Sequence, residues 1–245
     1  GVAASRGMLI SFLDADDWWV PGHHAAVARV FAERPEVGLV YHRLRPMREG
    51  KPAFRPIPTR VCSGAIGDDM LRSAGRWPFP MTSAITIRRS LWDEVGEIPP
   101  VLRISADAWL VGIMPFLTQV AGIAEPLGAS RIHTNNWFRD QDDAPMLRRR
   151  MAHWETTVRL TNAFLAERGL PGRLDLADHF PYQAAAARLG LPDAPGRLAL
   201  LLLGLGDRSE ANPLRRVRDA ARAVRGVNGL ADRRQALAAE AVERP

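Results

Sequence analysis

The sequence predicts an α/β layer fold over about its first 136 residues, followed by a part built only of helices. Three observations carry this expectation. Strand-like and helix-like segments alternate up to residue 136, the pattern of layered α/β proteins. Beyond residue 140 only helical periodicity is left, punctuated by proline and glycine at Pro171, Gly172, Pro181, Pro192, Gly196 and Pro213. Finally, 245 residues with 47% hydrophobic and 24% charged side chains are enough to bury a substantial core. The boundary is placed between residues 1–140 and 141–245.

The elements follow in order. Residues 8–13, "MLISFL", are a short apolar run of the kind that forms a buried strand. Pro21 suits the first turn of a helix reaching Arg34, because its missing N–H would be unpaired there anyway. "VGLVYHRL", residues 37–44, is the next strand, closed by the turn "REGK". Ser63 can cap a helix through Ser73, and "TSAITIRR", residues 82–89, is a further strand. Ser90 opens a short helix ending at Gly96, a helix follows near Asp107, and strand-like pieces reach "SRIHTNN", residues 130–136. The clearest helix of the second part is "NPLRRVRDAARAVRG", with Asn212 as N-cap, Pro213 as first residue and Gly226 at the end. Leu214, Val217, Ala221 and Val224 share one face, expected to pack on neighbouring helices. Arg215, Arg218, Arg222 and Arg225 share the next, expected to be solvated, with peripheral contact to anionic lipid as the sharper alternative.

Composition excludes several classes. The single cysteine, Cys62, rules out an internal disulfide framework. Neither the run 198–206 nor the interrupted stretch 108–124 supplies the ~20 apolar residues of a membrane span. The charge of +6 comes almost wholly from arginine, Lys51 being the only lysine, and leans towards anionic partners. Basic and aromatic residues are not interleaved as on nucleic-acid surfaces, so no nucleic-acid partner is expected.

The stretch "MLISFLDADDWWVP" carries the chemistry. Asp14, Asp16 and Asp17 follow an apolar strand, and carboxylates at the C-terminal end of a strand face the crevice where open α/β sheets bind ligands. Two carboxylates one residue apart can offer oxygens to Mg2+ or Mn2+, which complete their shells with water and phosphate. The bland reading, a turn whose carboxylate caps the following helix, suits Asp17 best. A calcium loop is excluded because Trp18 and Trp19 occupy positions that need ligands or glycine.

The run resembles the central segment of family 2 glycosyltransferases with the GT-A fold, "G-x-x-I-x-F-L-D-x-D-D-x-W-x-P". It is matched here by Gly7, Ile10, Phe12, Leu13, Asp14, Asp16, Asp17, Trp19 and Pro21, and then by Pro35, Val37, Gly38, Leu39, Val40 and Tyr41. "TSAITIRRSLWDEVGEI", "SADAWL" and "SRIHTNN" resemble later segments of the same family, so the likeness covers residues 1–136. It implies a partial GT-A mixed sheet flanked by helices, lacking a first nucleotide-binding βαβ portion, and an all-helical C-terminal extension. A chain without that portion is expected to be inactive alone.

The resemblance also implies the chemistry: inverting, metal-dependent transfer of one sugar from a nucleotide-diphosphate donor to a hydroxyl of a glycan, lipid-linked or protein acceptor. The absence of QxxRW and of membrane spans favours single transfer over processive synthesis. Asp16 and Asp14 would hold Mn2+ or Mg2+. Asp14, Asp17, Arg131 and His133 would contact the donor. The family's acidic pair stands here as Ala106–Asp107, and its second position would be the general base. The resemblance implies bacterial polysaccharide or cell-envelope biosynthesis, cytoplasmic, at the inner face of the membrane. The alternative is a non-catalytic scaffold or binding module. His23 and His24, early in a helix, are expected at the surface.

Overall fold

The structure is a computed structural model, and it describes residues 1–102, 105–133, 143–207, 209–210 and 212–229. The chain divides into two compact units: Gly1–Asp68 with Pro78–Phe138, and Asp69–Trp77 with Arg139–Pro245. The predicted boundary at residues 140 and 141 lies outside the described residues.

The first unit is a mixed sheet flanked by helices. In chain order it contains β1 (Leu9–Ser11), β2 (Trp18–Trp19), α1 (His23–Glu33), β3 (Val37–Arg48), β4 (Lys51–Pro52), β5 (Ser63–Gly64) and α2 (Gly67–Leu71, which runs on into the second unit). These are followed by β6 (Ile85–Arg88), α3 (Arg89–Val95), α4 (Asp107–Ile113) and β7 (Gln119–Arg131). The strand order is β1-β6-β3-β7-β2, with β4 added to β3 and β5 to β7. Among the described residues, only β3 and β7 pair in parallel. The first six residues of β3 are all buried, which is why "VGLVYH" lacks the alternation of a half-exposed strand. Val37 and Val40 meet Val27 and Phe31 of α1 and Ala121 and Leu127 of β7 in one core cluster.

This topology sets the functional edge. Since β6 is antiparallel to β1 and β3, and β7 is parallel to β3, the C-terminal ends of β1 and β7 and the start of β6 fall on the same edge of the sheet. The chain leaves β1, crosses that edge through residues 12–17, and returns as β2 on β7, with Trp18 opposite Ala129 and Trp19 opposite Gly128. Gly128 is required there, because a Cβ would stand 2.9 Å from Leu44 and 3.0 Å from the Trp18 carbonyl oxygen.

Local expectations shift where side chains are claimed by distant partners. Pro21 does not open α1. Val20 N–H still donates to the Leu127 carbonyl, and Gly22, at φ 86°, makes the left-handed turn into the helix as its N-cap. Ser63 caps no helix, since its hydroxyl accepts from Gly122 N–H at 3.0 Å and the residue lies in β5. The strand expected from residue 82 begins at Ile85, after one 3-10 turn at Thr82–Ala84. His23 is not at the surface. It is 1% exposed, stacks on Trp19 at 4.2 Å and 4°, and lies 4.9 Å from His42. Apolar surroundings and the neighbouring rings His42 and His24 push its pKa down to about 4.

A buried ring that stays neutral weakens the fold in acid. The unfolded chain takes up a proton near pH 6.5 while folded His23 does not until about pH 4, so stability is full above pH 6.5 and lost as pH falls towards 4. Asp14, raised in the folded state, acts in the opposite sense. His23→Phe keeps an aromatic ring on Trp19 and removes the titration, and it also removes a buried Nδ1 that has no hydrogen-bond partner. The melting temperature of this variant should fall less than the parent's between pH 7 and pH 4.5. Parallel thermal denaturation curves check this.

The second unit is helical: α5 (Ala144–Glu167), α6 (Phe180–Leu189), α7 (Arg197–Gly206) and α8 (Pro213–Arg225). Asp143 caps α5 by accepting from Met146 N–H, and His179 Nδ1 caps α6 by accepting from Tyr182 N–H. Asn212 caps α8 as its sequence requires, accepting from Leu214 and Arg215 N–H. The face of α8 that packs is different from the one expected. Its buried residue is Ala220, while Leu214 and Val217 are 79% and 53% exposed. The crossing with α7 selects small side chains, since a Cβ on Gly204 would come within 2.7 Å of the Ala220 Cβ. The arginine stripe is not simply solvated either: Arg215 and Arg218 pair with Glu210 and Asp219, at 3.8 and 2.8 Å. Among the described residues, no helix is long and apolar enough to cross a membrane.

Candidate active site

The acidic loop is held by a residue that sequence reasoning passed over. Ser83, 1% exposed, sits in the 3-10 turn before β6. Its hydroxyl accepts from Asp14 N–H at 3.0 Å and donates to Asp17 Oδ2 at 2.6 Å, while its carbonyl accepts from Trp19 Nε1 at 2.7 Å. The other carboxylate oxygen of Asp17 accepts from Arg131 N–H at the end of β7, at 2.9 Å. Asp17 therefore caps no helix: it ties the loop to β6 and β7. Within the loop, Asp17 N–H donates to the Asp14 carbonyl at 3.1 Å.

Asp16 is presented differently. Its carboxylate meets His133 Nε2 at 3.0 Å, both side chains being about half accessible (42% and 44%), and its carbonyl accepts from Arg131 Nε at 3.3 Å. The Arg131 guanidinium also lies over the Trp18 ring, 5.8 Å from its centroid. The structure thus brings Asp14, Asp16, Asp17, Arg131 and His133 together at one sheet edge. Thr134, Asn135 and Asn136 of the sequence segment that closes this region lie outside the described residues.

Asp107 joins them from 90 positions downstream. It is the first residue of α4, and its carboxylate accepts from Thr82 and from the backbone N–H groups of Asp107 and Ala108. Burial nevertheless holds its pKa above the usual carboxylate range. Asp14 is raised to about 6, first by partial burial and then by the charges of Asp17, Asp107 and Asp16, with the Ser83 hydrogen bond working the other way. Asp14 is nonetheless exposed as a residue, so water softens this crowding without removing it. Two residues before Asp107, Ser105 adopts φ 50°, a left-handed conformation that costs a non-glycine residue ~1 kcal/mol. The chain accepts that strain at the turn that delivers Asp107.

The edge can do two things chemically. It presents a concentration of negative charge that a cation would relieve, and it holds a desolvated carboxylate, Asp107, whose affinity for a proton is raised by burial. Among the described residues, no three His, Cys, Asp or Glu side chains form a ready-made metal cage. Asp16 and His133 offer two adjacent donors, which fits a hard cation that keeps waters and takes further ligands from phosphate oxygens.

The Ser83 hydroxyl bridges two of the three aspartates, so Ser83→Ala should release the loop. Loss of a buried donor to a carboxylate predicts a cost of about 1–3 kcal/mol. The check is urea denaturation, with faster amide hydrogen exchange at Asp14 and Asp17 as the local signature.

Comparison with known proteins gives the following. No family model matches the chain. It is 29% identical over 188 residues to an uncharacterized glycosyltransferase of Nostoc sp. (strain PCC 7120), a match covering 75% of this chain and 58% of that protein. The chain thus spans little more than half the length of that relative. Among solved structures it is similar to S. aureus TarS, with 10% identity, a TM-score of 0.41, and coverage of 89% of this chain and 40% of that one. It is also similar to TarS 1-349, with 11% identity, a TM-score of 0.42, and coverage of 91% and 68%.

Proposed function

We propose that this chain belongs to the catalytic part of a metal-dependent, inverting glycosyltransferase of the family 2 type. It would move one sugar from a nucleotide-diphosphate donor to a hydroxyl of a glycan, lipid-linked or protein acceptor. The observation that carries the reading is the convergence of Asp14, Asp16 and Asp107 at one strand edge, with Asp107 desolvated beside the acidic loop. The Nostoc relative, itself described as a glycosyltransferase, supports the same class.

The roles follow from placement. Asp16 and His133, with Asp14 beside them, would hold Mn2+ or Mg2+, which supplies charge neutralisation for the leaving diphosphate. Asp14 and Arg131 face the donor, Arg131 adding positive charge at the same edge. Asp17 has both carboxylate oxygens engaged by Ser83 and Arg131 and serves the donor by fixing the loop. Asp107 accepts the proton of the acceptor hydroxyl. The hydroxyl oxygen bonds to the anomeric carbon as the bond from that carbon to the diphosphate oxygen breaks, and attack on the opposite face inverts the centre. A single cysteine and a nucleotide-sugar donor fit cytoplasmic action.

The test is calorimetric titration of the full-length protein with UDP and related nucleoside diphosphates, with Mn2+ and with EDTA. Saturable binding that needs the cation is expected. Absence of binding to any nucleoside diphosphate in the presence of Mn2+ would leave only a scaffold.

A further inference from the structure

The C-terminal end of β3 reaches the same sheet edge as the acidic loop, because β3 runs parallel to β7. Met47 of β3 lies beside Arg131 of β7, whose N–H holds Asp17, and Ile132 N–H donates to the Met47 carbonyl. The hairpin that β3 forms with β4 therefore stands one strand away from the candidate active site.

The charge of this hairpin is one-sided. Between residues 37 and 67 Glu49 is the only acid, against Arg43, Arg45, Arg48, Lys51, Arg55 and Arg60. Arg43 is taken up by the structure, donating to the carbonyls of Pro56, Pro58 and Ala124. Arg45, Arg48, Lys51 and Arg55 are exposed, and among the described residues none of these four side chains has an ion-pair or hydrogen-bond partner.

The turn forces two of them together. Glu49 and Gly50 both have positive φ, 50° and 76°, the backbone of a tight two-residue connection whose twist suits a hairpin. It sets Arg48 directly opposite Lys51. Like charges facing each other across a strand pair destabilise it. The chain then stays beside β3: Ala53 N–H donates to the Pro46 carbonyl and Ile57 pairs with Leu44, so Arg55 passes alongside Arg45.

Two bland explanations fall short. Charge on a hairpin deters edge-to-edge association, but a pair of opposite sign would do that and attract as well. Nor does the hairpin neutralise the acidic loop, since the carboxylates of Asp16 and Asp17 are met by His133, Ser83 and the Arg131 N–H.

We propose that the β3–β4 hairpin is the docking surface for a polyanion, namely an acceptor glycan that bears phosphate or carboxylate groups along its length. Arg45, Arg48, Lys51 and Arg55 hold those groups while the reacting end lies at the acidic loop. An anion shared by Arg48 and Lys51 relieves the repulsion that the turn imposes, and an arginine fork matches the paired oxygens of phosphate and carboxylate. That the polyanion is the acceptor rests on the glycosyltransferase reading; that the hairpin binds one does not.

The test is binding of the full-length protein to fluorescently labelled inorganic polyphosphate, with neutral dextran as the comparison. Anisotropy is read in EDTA, so that no cation bridges the polymer to the acidic loop. Saturable binding is expected for polyphosphate and not for dextran. It should weaken by about tenfold in Arg48→Gln with Lys51→Gln, and likewise in Arg45→Gln with Arg55→Gln. Arg218→Gln with Arg222→Gln removes the same charge from α8 and should leave the affinity unchanged. A melting temperature at or above the parent's is expected for Arg48→Gln with Lys51→Gln, because the repulsion goes too, and it shows that the variant is folded. No binding to polyphosphate, or a loss that the α8 variant shares equally, overturns the proposal. So does attachment to phosphatidylglycerol vesicles through the same four residues without polyphosphate binding, which makes the surface a membrane contact. Neither nucleotide nor sugar transfer enters the measurement, so it can fail while the proposed activity stands, and hold while that activity fails.

Discussion

Asp107→Asn is expected to lower kcat for sugar transfer by about 10²–10⁴-fold while leaving the fold and donor binding in place. Asparagine keeps a carbonyl oxygen that can accept from Thr82 and from the backbone amides at the start of α4, the contacts that Asp107 makes as a structural residue. Stability should therefore change little, since asparagine serves helix starts about as well as aspartate. What the amide cannot do is accept the proton of the attacking hydroxyl. It also removes one of the charges that crowd Asp14, so the Asp14 pKa should fall in the variant. The decisive comparison is kcat beside melting temperature in the full-length enzyme. A variant that turns over like its parent places the base elsewhere and reduces Asp107 to a helix-start residue.

The second large effect concerns the cation. Asp16→Ala should abolish metal-dependent nucleotide binding and leave the apo fold nearly unchanged. Its carboxylate meets His133 across a partly exposed contact, and such pairs contribute at most about 1 kcal/mol. Removing it also lightens the negative charge around Asp14. Asp17→Ala should behave in the reverse way, losing stability first, because both of its oxygens anchor the loop. Titration with Mn2+ and nucleoside diphosphate, run with thermal denaturation on both variants, separates them. Unchanged affinity in Asp16→Ala would remove the cation from Asp16.

Much of this molecule was legible from its residues. The alternation of segments gave a sheet flanked by helices followed by a helical part, and the apolar run ending in Asp14, Asp16 and Asp17 gave the acidic loop at a strand's end. Such features are local, and a short stretch of sequence suffices to specify them.

What the sequence could not decide were matters of partnership at long range. Ser83 reads as an ordinary strand residue, yet its hydroxyl serves Asp14 and Asp17 almost 70 positions away, and that demand turns residues 82–84 out of the strand. His23 reads as a surface residue at a helix start, until Trp19 stacks on it and His42 closes the other side. On α8 the periodicity offered a wide leucine and valine face, and packing chose Ala220 instead, where Gly204 of α7 comes so close that a Cβ on it would stand 2.7 Å from the Ala220 Cβ. Hydrophobic periodicity states which residues a helix could bury; the shape of the opposing surface decides which it does bury, and only the tertiary structure supplies that surface.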